Sequence, residues 1–109
     1  MLGTANLDPV DGDGRPDALL TLLDRLQDPR PASAGGRAAA DADHAGDPAL
    51  DTAAWPDGPG NLRVDYVLPS RDLKVLDAGV LWPTSDDPFH ETVATASRHK
   101  LVWVDLTLP

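Results

Sequence analysis

The sequence has no cysteine, no isoleucine, one phenylalanine, one tyrosine and only two lysines among its 109 residues. Without cysteine there is no disulfide scaffold, no thiol nucleophile and no thiolate-held zinc or iron–sulfur centre. That absence leaves the compartment open. No run approaches the roughly 18 apolar residues of a membrane span. The opening Met1-Leu2-Gly3 is neither a basic nor an apolar leader, so no export address or membrane span is expected in this sequence. Basic residues are scarce too: nine Lys and Arg face 18 acids, for a net charge of −9. Such a chain cannot hold a phosphate backbone by bulk charge. It carries no direct signal for nucleic acid or membrane binding, and any phosphate chemistry would have to run through metal ions.

The core-forming residues are 16 Leu, 8 Val and 1 Phe, 25 of 109 or about 23%. That is just above the roughly 20% below which chains tend to disorder. One thinly filled domain is the most this length supports. Seventeen of the 18 acids are Asp, and Arg outnumbers Lys 7 to 2, a bias of the kind GC-rich coding produces. A single Asp therefore carries weight only inside a constrained pattern.

Eight core formers lie in residues 1–28, one (Leu50) in 29–61 and 16 in 62–109. The middle stretch, with five Pro and five Gly, is expected to be a long surface loop that builds no core. Pro16 and Asp17 suit a helix first turn, and Leu19, Leu22, Leu23 and Leu26 follow at helical spacing to Gln27, before Asp28-Pro29 stops the helix. Residues 62–68 alternate, with Leu62, Val64, Tyr66 and Leu68 on one face and Arg63 and Asp65 on a polar face. Residues 74–82 form a second Val/Leu-rich run, expected to pair with 62–68 as a hairpin. The nearly continuous run 101–106 reads as a strand buried on both faces. No internal repeat is present.

The stretch from Asp8 to Asp17 invites a calcium reading, because Asp11, Asp13 and Asp17 fit the ligand register of an acidic loop with a Gly turn. The first ligand position, however, falls on Pro9. A plain Gly/Asp turn leading into the helix explains the same residues. A small acidic calcium-binding or adaptor module built on Asp11–Asp17 is the alternative function. His44 and His90 stand in polar, loop-like surroundings and are expected at the surface, and Trp55, Trp82 and Trp103 are expected to serve packing.

Three short patterns are informative in their order: Leu2-Gly3-Thr4-Ala5-Asn6, then Arg63-Val64-Asp65-Tyr66, then Ser97-Arg98-His99 before the last strand. Together they resemble the C-terminal half of the endonuclease/exonuclease/phosphatase family, deoxyribonuclease-like phosphoesterases with Gly-Asp-x-Asn, Arg-x-Asp-Tyr and Ser-Asp-His motifs in that order. The resemblance implies an α+β fold across residues 1–109: part of a deoxyribonuclease-like sandwich, one mostly antiparallel sheet with a short helix and the loop at 29–61. It implies a phosphate ester substrate and Mg²⁺ or Mn²⁺. Asn6 would help place the phosphate, Asp65 would belong to the carboxylate network around metal and histidine, and His99 would meet the scissile phosphate as acid or donor.

Two family carboxylates are replaced, by Thr4 in the first motif and by Arg98 in the last. A threonine hydroxyl cannot act as a carboxylate base, and Arg98 brings fixed positive charge toward the metal position. The expectation is a chain with an impaired metal site and no activity of its own. Met1 falls within an expected strand, which suggests that the family's first half lies upstream. Uncovered sheet surface is expected to favour self-association.

Overall fold

The computed structural model describes residues 1–41 and 43–108. The elements are β1 (Leu2–Thr4), α1 (Asp17–Arg25), α2 (Ala34–Ala38), a 3-10 turn (Pro48–Leu50), β2 (Ala53–Trp55), β3 (Gly60–Leu62), β4 (Asp65–Val67), β5 (Lys74–Leu81), α3 (His90–Ala96) and β6 (Leu101–Thr107). This is an α+β fold of short antiparallel ribbons with helices beside them.

α1 forms where the leucine spacing places it. Leu19 is buried against Tyr66 and Leu68, with Ala5, Leu7, Leu23 and Leu26 around them. The Arg71 guanidinium donates to the carbonyls of Arg25 and Asp24, so a cation satisfies the end of the helix.

The run 62–68 is not one strand and does not pair with 74–82. It breaks at Arg63-Val64 into β3 and β4, which serve different partners. β3 pairs antiparallel with β2, Ala53 facing Leu62 and Trp55 facing Gly60. β4 pairs antiparallel with β1, Leu2 facing Val67 and Thr4 facing Asp65. β5 takes β6 instead, in register from Leu81↔Leu101 to Lys74↔Thr107 with an irregularity between Val75 and Asp77. Strand periodicity had located the residues; choosing partners requires the long-range closure that brings β1 back to β4.

The polar face assigned to Arg63 is also corrected. Arg63 is 7% exposed. Its two terminal nitrogens donate to the two Asp28 oxygens at 2.8 and 2.6 Å, and its guanidinium lies 4.8 Å from the Tyr66 ring centroid.

The middle third is not a structureless loop. Ser33 caps α2 by accepting from the Gly36 amide, and Asp47 caps the 3-10 turn by accepting from the Ala49 amide. Ala49, Leu50 and Ala53 are buried core residues. At Gly35 a Cβ would lie 2.1 Å from the Trp82 carbonyl oxygen, so only glycine lets α2 sit there. Counting Leu, Val and Phe misses a core filled by Ala and Gly.

β2 is an inner strand. Beyond β3, its other edge meets residues 98–100: the Ala54 amide donates to the Arg98 carbonyl at 3.1 Å, and the Lys100 amide donates to the Thr52 carbonyl at 2.7 Å. β6 is not buried on both faces; it alternates, with Leu101 63% exposed and Val102 partly covered. Trp82 is buried and Trp55 packs on the Ala53–Leu62–Val64 cluster, whereas Trp103 lies half-exposed across Gly79.

Candidate functional site

β4 and the 98–100 segment both flank the buried Ala53–Leu62–Val64 cluster, so Asp65 and His99 meet although 34 residues separate them. His99 Nδ1 lies 2.9 and 3.0 Å from the two Asp65 oxygens. A carboxylate only accepts, so Nδ1 carries the proton, and Nε2 is the nitrogen left to meet another molecule. Trp55 stands edge-on to the imidazole, with centroids 5.5 Å apart, and limits its tilt.

Asp65 is itself held by Thr52. The Thr52 hydroxyl donates to Asp65 Oδ2 at 2.8 Å and accepts from the Val64 and Asp65 amides at 3.1 Å each. Thr52 is 1% exposed, so this arrangement is dry and its three partners fix the hydroxyl. Nothing in the sequence pattern marked Thr52. The chemical signal was available, because a carboxylate that orients an imidazole needs a further donor to fix its own plane.

Thr4 lies across from Asp65 in the β1–β4 register. Its hydroxyl shares one hydrogen between Asn6 Oδ1 at 3.1 Å and the Val64 carbonyl at 3.3 Å. Asn6 adopts φ 49°, a left-handed conformation that asparagine tolerates better than most residues. Its amide oxygen is engaged by Thr4, so its side-chain NH₂ remains for another partner. Thr4, Asp65 and His99 line a groove of about 370 Å³ whose remaining wall carries Lys100 and is otherwise largely apolar, with Leu2, Leu101 and Val102; Asn6 is not among its lining residues. Arg98 does not line that groove. It lines a larger adjoining cavity, of about 760 Å³.

These donors do not fit a divalent cation. Asp65 is the one carboxylate in the groove, and both its oxygens are engaged by His99 and Thr52. Among the described residues, no three His, Asp or Glu side chains converge on one point. The stretch Asp11–Asp17 does not gather into a shell either. Asp11 accepts from the Ala45 and Gly46 amides at 2.7 and 2.9 Å, tethering that loop. His44 and His90 are half-buried rather than at the surface. His90 Nδ1 lies 3.0 Å from the Pro83 carbonyl oxygen.

Behind the site, Asp51 is 5% exposed in a 140 Å³ cavity that it shares with Asp8, Asp11, Asp47, Arg30 and Arg63. Burial first, and the Asp8 charge next, push its pKa up to about 7. The folded chain then holds a proton that the unfolded chain has released, so stability falls as pH rises from about 4 to about 7 and levels off above. Asp51→Asn is expected to flatten that slope. Thermal melts should show a Tm gain of a few degrees at pH 8 and none at pH 4; an equal gain at both would refute the assignment.

A model of the Endonuclease/Exonuclease/phosphatase family matches residues 5–99. No curated protein and no solved structure gives a significant match.

Proposed function

The chain belongs to the endonuclease/exonuclease/phosphatase family, and from that membership we propose that it carries the phosphate-facing part of a phosphoester-hydrolysing site without the part that activates water. The observation behind this reading is the Thr52–Asp65–His99 relay, with Nδ1 fixed 2.9 Å from the carboxylate. His99 meets a phosphoryl oxygen through Nε2 and donates to it when both ring nitrogens carry protons. Hydrolysis further requires a base for water and a strong positive centre against developing charge. Thr4 is no base, and the lining of the groove offers no free carboxylate for an ion. The chain binds a phosphate ester and does not turn it over.

Two measurements test this. In Mg²⁺ or Mn²⁺, chromogenic phosphomonoesters and phosphodiesters should be hydrolysed no faster than in buffer alone. Dimethyl phosphate should shift the ring resonances of His99 saturably in NMR, and Asp65→Asn should weaken that response about tenfold, an order set by one charge-assisted hydrogen bond. Metal-dependent turnover that disappears in His99→Ala would overturn the inactivity, and an unmoved His99 would overturn the site.

A further inference from the structure

The 760 Å³ cavity adjoins the His99 groove at Lys100, which lines both, and has the size of a small-ligand site. His99 lines the groove and not the cavity, and its neighbours in the chain are Arg98 and Lys100. Both line the cavity, with Trp82, His44, Asn61 and Asp41 on its other walls.

Two features of this cavity are unmet. Lys100 is 9% exposed, and its ammonium donates to the Ser97 carbonyl at 3.1 Å and lies 5.2 Å from the Trp82 ring centroid. Among the described residues, neither Lys100 nor Arg98 has a carboxylate within ion-pair distance. A buried ammonium with no counter-charge is costly, and burial already holds its pKa below that of an ordinary lysine. In the same cavity, His44 Nδ1 is buried and, among the described residues, has no hydrogen-bond partner. Asp41 Oδ2 lies 3.6 Å away and accepts from the Asn61 amide.

We propose that this cavity binds a phosphate monoester whose organic part carries hydroxyl groups, with Arg98 and Lys100 holding the phosphate and the His44 wall meeting the hydroxyls. Two cations lining one cavity bracket a tetrahedral dianion, whereas a planar carboxylate presents one edge to a single fork. Asp41 and Asp43 line the cavity on the histidine side, where they repel a second anionic group and accept from hydroxyls. The ligand therefore has one charged end. The site shares Lys100 with the His99 groove, is distinguished from it by Arg98, and does not depend on the role given to that histidine.

Glycerol 3-phosphate is the probe, titrated into the full chain and followed by calorimetry and by NMR of the His44 ring and the Trp82 indole. Saturable shifts at both reporters are expected. Arg98→Gln and Lys100→Met should each lower the affinity at least tenfold while circular dichroism shows them folded. Inorganic phosphate should bind more weakly, and glycerate more weakly still. No saturable shift, or unchanged affinity in Arg98→Gln, would overturn the site. Loss in His99→Ala with retention in Arg98→Gln would place the probe at the groove and equally overturn it. Inorganic phosphate binding as tightly as the probe would refute the hydroxyl contacts, and glycerate doing so would refute the choice of phosphate.

Discussion

Arg63→Ala is expected to remove most of the chain's stability at 25 °C. The guanidinium makes a two-pronged pair with Asp28, covers the Tyr66 ring and sits 7% exposed. Removing it strands the Asp28 carboxylate in a largely covered site, and breaking a buried pair from one side costs about 3–5 kcal/mol. Domains of this size have roughly 5–15 kcal/mol in total, and a core of two small clusters places this chain low in that range. Arg63→Lys keeps the charge but loses the fork and the stacking, so it should recover only part of the loss. Arg63→Met with Asp28→Leu, which removes both charges, should be more stable than Arg63→Ala alone. Urea titration followed by tryptophan fluorescence reads all three; a midpoint for Arg63→Ala within error of the parent would refute the account.

The same pair predicts acid behaviour. Burial alone would raise the Asp28 pKa, but the hydrogen bond and charge of Arg63 outweigh it and hold the value below the usual carboxylate range. The stabilisation is therefore present above the ordinary value near 3.8 and disappears as pH falls through the lower folded value. Parent and Arg63→Ala should converge in stability in strong acid.

A second large effect is expected from Thr4→Asp combined with Arg98→Asp. Residue 4 faces residue 65 directly in the β1–β4 pair, and facing side chains have their Cβ atoms about 4.5–5.5 Å apart. An aspartate at 4 puts a second carboxylate beside Asp65, and the change at 98 removes a fixed positive charge. Without metal the pair repels and Tm should fall. With Mn²⁺ at about one hundred times its Kd, the gain is about 2.7 kcal/mol, a rise in Tm of roughly 10 °C for a chain of this length. Paramagnetic broadening of the His99 ring signals would locate the ion. Equal melts with and without Mn²⁺ would show that Thr4 and Arg98 are not what keeps a cation from this groove.

What the sequence revealed follows the range of the interactions involved. α1 was legible because its signals, Pro16, Asp17 and the leucine spacing, act within a few residues. Asp65 and His99 were legible through their motifs, and the structure brings them to 2.9 Å. The pairing of strands was not legible, because β4 chooses β1 by a closure spanning more than 60 residues while a nearby run of similar periodicity competes on paper. Arg63 was misplaced for a related reason: alternation assigns it a solvated face, and only Asp28, 35 residues away, makes its burial tolerable. Ala53 was missed because a strand of three residues has too few positions to show a period, and Ala49 and Thr52 because one lies in a single 3-10 turn and the other between elements. Ala and Gly, moreover, fill a core without registering as hydrophobic.

The return of the first eight residues to the 62–68 region also dictates a folding order. Met1 bonds with Leu68 across 67 residues, and Asp8 accepts from the Arg63 amide across 55. β1 pairs with β4, more than 60 residues away, so it joins the structure late. Its contacts make the slow, non-local share of folding. A protease present during refolding should therefore cut within residues 1–8 first and spare the segment once β4 has captured it.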